Sequence, residues 1–365
     1  MPPLSAVVVA DGRGFGGAQV YARSLVAHAP DGVRCDVVTT EEHAPHLAPV
    51  VQARGGRVVV VATTVRADDA PQLRSALAEL APDVVQVNLV DPTSMVAALE
   101  ASAAVAPTVA TLHMRGEVTD LERVRAAYGA LRHLVAVSAE FAALARDLLG
   151  LPADRVTHVV NGVDPVPLVT PPDGDVPVLG ALGRLTPQKG FDVLLEAVAL
   201  LLARGVPLQV VLGGEGRDRE ALQRQAAGLP VRFLGFQDGP RALLGQVDVV
   251  AVPSRVEALP LVLVEAVSAG LPAVATDVGD VRLALDGVVE VVPPEDPRAL
   301  ADALEPLLRD RALRRERGRR GAAVARRDLT AERMARQAWE AFLPSTGLPP
   351  IGLPSTGPPR PPAPG

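Results

Sequence analysis

The chain has 365 residues, a formal net charge of −6 at pH 7, 48% hydrophobic residues and 2% aromatic ones. Its acidity argues against a general nucleic-acid-binding protein, whose surface would be basic. The single cysteine, Cys35, excludes an intrachain disulfide and fits a reducing compartment.

The N-terminus and the longest apolar runs indicate where such a chain resides. Residues 1–5 place no basic residue ahead of the first apolar run, so we expect no signal peptide. No run reaches about 18 apolar residues, the length that a membrane-spanning helix needs. The sequence therefore predicts a soluble, cytoplasmic protein, with peripheral contact to the inner face of the membrane as the alternative.

Short valine-rich runs alternate with Ala- and Leu-rich helical stretches along the chain. Most runs are apolar at every position, which is typical of strands buried on both faces of a parallel sheet. The predicted strands are 6–10, 33–39, 58–61, 84–88, 108–112, 134–137 and 156–160, then 177–182, 208–212, 231–234, 247–252, 273–276 and 288–291. This alternation predicts an α/β protein with two Rossmann-like, doubly wound parallel-sheet domains that face each other across a cleft.

Proline marks the boundary between the two halves. Five prolines fall between residues 165 and 177, and they prevent regular structure there. We therefore predict a first domain at 1–165, a Pro-rich linker at 166–176 and a second domain at 177–327. Residues 328–343 predict a helix around Trp339, and 344–365 predict a disordered tail because they are rich in Pro and Gly.

A glycine-rich loop follows the first strand and precedes a helix. Gly12, Gly14 and Gly17 fit the spacing GxGxxG, and Glu41 or Glu42 could end the second strand where a dinucleotide enzyme places its ribose carboxylate. One interpretation is therefore an NAD(P)-dependent oxidoreductase. Bare backbone at a helix N-terminus equally suits another phosphate or a polar sugar.

Two cations follow the first strand of the second domain. Arg184 and Lys189 lie in the segment 182–190, at the carboxyl edge where open α/β sheets bind ligands. Two cations there suit a diphosphate and need no metal to neutralise it. Ion pairs with Glu196 or Glu215 are the structural alternative. The loop 213–216 could add backbone contacts to the same ligand.

The stretch 254–279 predicts a buried helix that contains one carboxylate, Glu265. Pro260 fits the first helical position, Gly270 ends the helix, and the residues between are apolar on all sides. A buried carboxylate needs a donor, from the protein or from a ligand's hydroxyls. Glu257 precedes the helix, so one extended ligand could reach both acids. A buried ion pair with Arg255 or Arg282 is the alternative.

Two further segments have simple interpretations. The Arg-rich segment 309–327 predicts a solvated helical face, with a patch for anionic lipid headgroups as the alternative. Asp173-Gly174-Asp175 matches a metal-binding DxD, but it falls in the predicted linker and not at a strand end. We interpret it as an exposed turn and predict no metal and no cofactor.

Taken in order, the motifs resemble those of retaining nucleotide-sugar glycosyltransferases of the GT-B fold, family 4 (glycosyl transferases group 1). The similar motifs are Gly-Gly-Ala-Gln (16–19), Thr-Leu-His (111–113), Val-Ser (137–138), Asn-Gly-Val-Asp (161–164), Gly-Arg-Leu with Gln-Lys-Gly (183–190), Phe-Leu-Gly-Phe (233–236) and the pair Glu257 and Glu265. Each motif is weak alone, and the combination is specific.

The resemblance implies a role for each matching residue. Arg184 and Lys189 would hold the donor diphosphate, Glu257 the transferred sugar and Glu265 the ribose, with His113 beside the donor sugar. It also implies further donor contacts along the cleft, at Gly16, Gly17, Gly183, Gly214, Phe236, Leu259, Pro260 and Leu261. The last helix would cross back to the first domain, and the acceptor would be a hydroxyl compound held by that domain's loops, such as 91–94 and 114–120.

The chain departs from the family pattern around residue 280. Ala258 stands where the family usually has glycine, and Asp280, Arg282 and Leu283 replace a second glycine followed by Pro-Glu. Asp280 near a diphosphate would be repulsive unless Arg282 compensated it. The predicted function is retaining, metal-independent sugar transfer from a nucleotide-diphosphate sugar to a hydroxyl acceptor. The alternatives are an oxidoreductase, a nucleotide-sugar epimerase and a non-catalytic binding protein.

Overall fold

The computed structural model describes residues 3–12, 14–65, 68–170, 174–237 and 239–347. These form two α/β units, each built on one parallel sheet, as the alternation of runs predicted. The ends of the thirteen strands within the described ranges differ from the predicted ends by at most two residues. The strands could be predicted from the sequence because buried parallel strands are apolar on both faces.

Among the described residues, the first domain contains seven strands and six α-helices. The strands are β1 (Leu4–Ala10), β2 (Val33–Thr39), β3 (Val58–Val60), β4 (Val84–Leu89), β5 (Thr108–Leu112), β6 (His133–Ala136) and β7 (Val156–His158). The helices are α1 (Gly17–Ala27), α2 (Ala44–Ala53), α3 (Pro71–Leu80), α4 (Val96–Ala103), α5 (Leu121–Gly129) and α6 (Ala139–Asp147). The strand order is β3-β2-β1-β4-β5-β6-β7.

In the part of the second domain that the structure describes there are six strands. They are β8 (Val178–Leu182), β9 (Gln209–Gly213), β10 (Val231–Gly235), β11 (Val249–Val252), β12 (Ala273–Thr276) and β13 (Glu290–Val292), in the order β10-β9-β8-β11-β12-β13. The helices are α7 (Phe191–Ala203), α8 (Arg219–Gln225), α9 (Arg241–Leu244), α10 (Leu261–Ser268), α11 (Val281–Leu285), α12 (Pro297–Arg309), α13 (Arg311–Asp328) and α14 (Ala331–Ser345).

Each sheet reverses its strand order once. In the first sheet the reversal lies between β1 and β4, and in the second between β8 and β11. The connections leave in opposite directions at such a point, so the carboxyl ends of the two strands open a crevice. The loops that carry the glycine motif and the cationic motif start at these crevices, after β1 and β8.

Helix α14 leaves the second domain and packs on the first. The indole Nε1 of Trp339 donates to the carbonyl oxygen of Leu25 in α1 at 3.1 Å, and the side chains of Trp339 and Phe342 are buried in the first domain's core. The helix ends at Ser345, two residues beyond the predicted end at 343. Residues 348–365 of the predicted tail lie outside the described residues.

Two residues of the predicted linker, Val166 and Val169, are hydrogen-bonded to the second domain. Val166 N–H donates to Ser268 Oγ at 3.3 Å, and Val169 N–H donates to the Ala269 carbonyl oxygen at 3.0 Å, so this segment packs on the C-terminal end of α10. Residues 171–173, including Asp173 of the DxD match, lie outside the described residues, and Asp175 is exposed.

The Arg-rich segment differs from the predicted single solvated face. Asp310 separates α12 from α13 and caps α13, since its Oδ1 accepts the N–H groups of Ala312 and Leu313. Arg314 is buried, and its guanidinium donates to the Leu307 carbonyl at 2.9 Å. The prediction of full solvation is therefore wrong at Arg314, while membrane contact by this segment stays a prediction. Within the described ranges, no helix combines the length and the apolar character that crossing a bilayer requires.

Candidate active site in the cleft between the two sheets

The cationic loop after β8 lies at the reversal point of the second sheet. Gly183 and Arg184 follow β8 directly, a short 3-10 turn spans Pro187–Lys189, and α7 begins at Phe191. Arg184 is exposed, and none of the described residues forms an ion pair with it. The alternative, ion pairs of these cations with Glu196 or Glu215, is not observed: Lys189 pairs with Glu257, and Glu215 pairs with Arg219.

Lys189 and Glu257 form an ion pair between the ammonium Nζ and the carboxylate Oε1. Both side chains are largely buried, with 19% and 15% of their surfaces exposed. Ser254 Oγ lies 3.3 Å from the same Oε1. The structure thus brings the predicted diphosphate cation and the predicted sugar-binding acid into direct contact.

The arginines proposed as alternative partners of the two acids are engaged elsewhere. Arg255 binds Asp192 through both terminal nitrogens, and its Nε lies 3.0 Å from Glu295 Oε1. Arg282 pairs with Asp277 at 2.9 Å. The interpretation of Glu257 and Glu265 as partners of Arg255 or Arg282 is therefore wrong.

Glu265 lies on helix α10. No donor among the described residues lies within hydrogen-bond distance of its carboxylate. Burial raises the pKa of Glu265 to about 7, against smaller opposing contributions from Arg23 and Arg241. A partly desolvated carboxylate without a donor is costly, so this position favours a ligand that brings hydroxyl groups to it.

The N-terminus of α10 points into the cleft. Pro260 is the N-cap, and the helix begins at Leu261, one residue later than predicted. The first N–H groups of a helix have no intrahelical acceptor, which makes such an end suitable for an anion. Leu259 is buried beside it, and its carbonyl oxygen accepts from Asn161 Nδ2 at 3.4 Å, a contact across the domain boundary.

The glycine loop of the first domain faces this helix end. A Cβ placed on Gly17 would lie 3.6 Å from Leu261 Cδ1, so the two domains approach each other here. Gln19 fixes the loop, because its Oε1 accepts from Gly16 N–H at 3.0 Å and its Nε2 donates to the Asp11 carbonyl at 3.1 Å. Gln19 belongs to the motif 16–19, and its positioning role was not predicted.

His113 follows β5 and is 7% exposed. Asn88 Nδ2 donates to the Ala18 carbonyl at 2.8 Å, which turns Asn88 Oδ1 toward His113 Nε2 at 2.7 Å. A carbonyl oxygen can only accept, so Nε2 carries the hydrogen. Burial lowers the pKa of His113 to about 3, so the imidazole is neutral. Asn88 was missed as a site residue, although a polar residue at the end of an apolar strand could have signalled it.

Three further predicted donor residues, Gly183, Gly214 and Phe236, each follow a strand of the second sheet. Gly214 has φ of +130°, and a Cβ there would lie 1.9 Å from the Gly183 carbonyl oxygen. Glycine at 214 is therefore required for the β8 and β9 loops to touch. Phe236 follows β10 and is 75% exposed, which is unusual for a large aromatic residue.

Asp280 contacts the first domain. Its Oδ1 accepts from Ala139 N–H at 3.1 Å, and its Oδ2 lies 2.5 Å from His158 Nε2, both in the first domain. Arg282 pairs with Asp277, so the predicted compensation of Asp280 by Arg282 is wrong, whereas repulsion of a diphosphate by Asp280 stays a prediction. The sequence could not show the two partners of Asp280 because they lie more than a hundred residues away.

Two family models together match most of the chain. Residues 15–166 match "Glycosyltransferase Family 4", and residues 176–310 match "Glycosyl transferases group 1". The chain belongs to the family 4, group 1 glycosyltransferases. Each domain matches one of the two family models, so the oxidoreductase and epimerase alternatives are not favoured.

Two curated relatives are similar to parts of this chain. A phosphatidyl-myo-inositol mannosyltransferase of Mycobacterium leprae is 40% identical over 183 residues, 47% of this chain and 49% of that protein. An alpha-D-kanosaminyltransferase of Streptomyces kanamyceticus is 36% identical over 149 residues, 38% of either chain. The chain spans about half the length, or less, of these curated relatives.

Solved structures share the GT-B fold along nearly the whole chain. Anabaena Alr3699/HepE, crystallised in complex with UDP and glucose, aligns with a TM-score of 0.75 at 20% identity, covering 92% of this chain and 98% of that one. A Rickettsia africae glycosyltransferase aligns with a TM-score of 0.77 at 14% identity, covering 94% and 99%. These likenesses show the fold of this family member.

Proposed function

We propose that the chain is a retaining glycosyltransferase that moves a sugar from a nucleotide-diphosphate sugar to a hydroxyl acceptor without a metal. One observation carries the proposal: the cations Arg184 and Lys189 lie at the carboxyl edge of the second sheet, and Glu265, on α10 of the same domain, accepts no hydrogen bond from the described residues. The names of the relatives support it, since they describe transfer of mannosyl or kanosaminyl groups. The UDP and glucose in the Anabaena structure support a nucleotide-linked donor.

The donor would lie along the second domain's crevice. Arg184, Lys189 and the free N–H groups at the start of α10 would bind the diphosphate. Glu265 would accept hydrogen bonds from the ribose hydroxyls, and the exposed ring of Phe236 would border the base. These contacts extend in one direction along the carboxyl edge of the sheet.

The transferred sugar would lie between the two domains. Glu257 would accept from its hydroxyls, and the bare backbone at Gly16 and Gly17 leaves room for the ring. His113 is neutral, so it offers a polar, uncharged surface beside the sugar. Lys189 forms an ion pair with Glu257, so donor binding would move the ammonium to the diphosphate and leave the carboxylate to accept from the sugar.

The reaction would break the bond between the anomeric carbon and the diphosphate oxygen. Negative charge grows on the departing diphosphate, and Arg184 and Lys189 are placed to stabilise it. The acceptor oxygen would attack from the same face, which retains the anomeric configuration, and its proton would pass to the departing diphosphate oxygen. No protein base is needed for that transfer. Within the described ranges no group of three or more His, Cys, Asp or Glu is placed to hold a metal ion, and metal independence stays a prediction.

A thermal-shift panel tests the proposal. UDP, GDP, ADP and their sugar conjugates would be added to the full chain with EDTA present, because a ligand that binds only the folded state raises the melting temperature. We expect at least one nucleotide diphosphate to raise it and Arg184→Ala to abolish the shift. NADH and NADPH should have no effect. A chain that responds to no nucleotide diphosphate would overturn the proposed function.

A further inference from the structure

The first domain has a cavity that the donor site does not use. Its volume is about 800 Å³, within the range of small-molecule sites. It lies at the carboxyl ends of β1, β2 and β3, and its wall on one side is the glycine loop at Gly12 and Gly14. The opposite end of that loop, at Gly17, faces Leu261 across the cleft, so the loop separates the cavity from the donor site.

The wall of the cavity is held in place by one buried acid. Asp11 is 2% exposed, and its Oδ2 accepts from Thr64 Oγ1 at 3.0 Å, from Thr63 Oγ1 at 3.1 Å and from Val65 N–H at 3.3 Å. These bonds tie the segment after β3 to the end of β1. They therefore fix the position of residues 63–65, which line the cavity.

The lining of the cavity has two chemically different parts. Val60, Val61 and Val65 form an apolar surface, and Val60 is 53% exposed. Glu41 and Glu42 border that surface. Both carboxylates are exposed, and no donor among the described residues is bonded to them.

A second cavity of about 530 Å³ continues from the first along the edge strand β3. The two share Val60, Val61 and Gln72, and the second extends to Ser75 and Glu79 of α3. Together they form a groove that runs away from the cleft, defined by Glu41, Glu42, residues 59–65, Gln72 and Glu79. We call it the β3 groove. An elongated ligand fits this shape better than a single small molecule.

We propose that the β3 groove binds the distal part of a saccharide acceptor, with adjacent hydroxyls of a neutral sugar unit donating to Glu41 and Glu42. The inference rests on the proposed function. A sugar ring has an apolar C–H face and a rim of hydroxyls, which matches the valine surface and the carboxylates beside it. A carboxylate accepts several hydrogen bonds, so one acid can hold two adjacent hydroxyls.

The position of the groove determines which part of the acceptor it holds. His113, beside the transferred sugar, follows β5, whereas Glu41 follows β2, and the order β2-β1-β4-β5 separates them by three strand spacings. At about 4.8 Å per spacing this is about 14 Å. That distance is longer than one sugar ring, so the unit in the β3 groove is not the unit that receives the new bond. The acceptor is therefore an oligosaccharide or a glycosylated compound, and the paired acids disfavour a phosphorylated unit there.

Ligand-observed NMR tests the inference independently of turnover. The probes are glucose, maltose, maltotriose, mannose, α-1,6-mannobiose and glucose 6-phosphate, added to the UDP- or GDP-saturated full chain. We expect a di- or trisaccharide to bind better than its monosaccharide and glucose 6-phosphate to bind least. The double variant Glu41→Gln/Glu42→Gln should weaken the oligosaccharide about tenfold or more, because hydrogen bonds to a charged group are lost. Val60→Arg, at an exposed position, should weaken it by filling the groove.

The controls separate this inference from the proposed function. Glu316→Gln removes an exposed carboxylate on α13 and should change nothing. The nucleotide-induced melting shift should be unchanged in all the groove variants. If nucleotide binds but no oligosaccharide binds the wild-type chain, or if the double variant binds oligosaccharide as well as the wild type, the β3 groove is not an acceptor subsite. Loss of the nucleotide shift in the wild type would instead count against the proposed function.

Discussion

Asp280 Oδ2 lies 2.5 Å from His158 Nε2, so an acid of the second domain is hydrogen-bonded to a histidine of the first. The Asp280 side chain is 3% exposed and the His158 side chain 25%. The same acid accepts from Ala139 N–H at the start of α6. Asp280, which departs from the family pattern, thus connects the two domains.

We predict that Asp280→Asn lowers the melting temperature and loosens the contact between the domains. The substitution removes a charged acceptor from two partly buried hydrogen bonds, which costs about 1–3 kcal/mol, or a few °C in a chain of this size. Differential scanning calorimetry measures the first effect and small-angle scattering the second. Asp31→Asn, at an exposed position, is the matched control. A melting temperature equal to the wild type would show that this contact contributes nothing to domain docking.

Arg184→Ala should reduce turnover without reducing stability. The side chain is exposed and no described residue pairs with it, so the folded protein loses no contact. The transition state loses a positive charge, and loss of one such group lowers kcat by about 10²–10³. Steady-state kinetics measures the loss of turnover, and thermal unfolding of the same preparation measures the unchanged stability. Arg315→Ala, another exposed arginine, should keep full turnover. Retained turnover in Arg184→Ala would remove the residue from the catalytic machinery.

Lys189 and Glu257 should behave as a coupled pair. Lys189→Ala leaves the Glu257 carboxylate largely buried without its cation, so this variant should be less stable as well as less active. The double variant Lys189→Ala/Glu257→Ala should recover part of the lost stability, because no unpaired charge remains. A double-mutant cycle on the free energy of unfolding measures the coupling. Additive effects of the two substitutions would mean that the ion pair is not maintained in solution.

Glu265 should make stability and donor binding depend on pH. Burial raises its pKa from 4.5 to about 7 in the folded chain. The folded state then binds more protons than the unfolded state between these values, so this group's contribution to stability falls as pH rises from about 4.5 to 7. Glu265→Gln should remove that slope in a series of unfolding curves. Glu265→Asp, which keeps the charge, is the comparison.

The raised pKa of Glu265 also predicts that the protein releases a proton when the donor binds. Ribose hydroxyls donate to the ionised form, so nucleotide should bind more tightly above pH 7 than below pH 6, with release of a proton. Isothermal titration calorimetry in two buffers of different ionisation enthalpy measures the proton release. Nucleotide binding in Glu265→Gln should be weaker and independent of pH. Equal wild-type affinity at both pH values would rule out contact between Glu265 and the donor.

Gly214→Ala should disrupt the donor loop. The residue has φ of +130°, and a Cβ would meet the Gly183 carbonyl oxygen at 1.9 Å, so backbone must move. We expect a lower melting temperature and loss of the nucleotide-induced shift. Gly129→Ala is the matched control, since nothing lies within 4 Å of its Cβ position and it ends helix α5. A Gly214→Ala variant that binds nucleotide normally would contradict the close approach of the two loops.

The sequence by itself determined the strands, the two sheets and the positions of the cationic and acidic motifs. Buried parallel strands need apolar residues on both faces, and helix ends need particular capping and breaking residues. Short segments of the sequence are therefore sufficient to predict these features. Arg184, Glu257 and Gly16 were located because each follows a recognisable strand or precedes a helix.

Only the tertiary structure decided which of these groups meet. The pairing of Lys189 with Glu257, the support of His113 by Asn88 and the turn of Asp280 toward His158 join residues that are distant along the chain. Local periodicity carries no information about such contacts, because they depend on how the loops of two sheets are brought together. The β3 groove likewise exists only because three strand ends and the Asp11 hydrogen bonds enclose it.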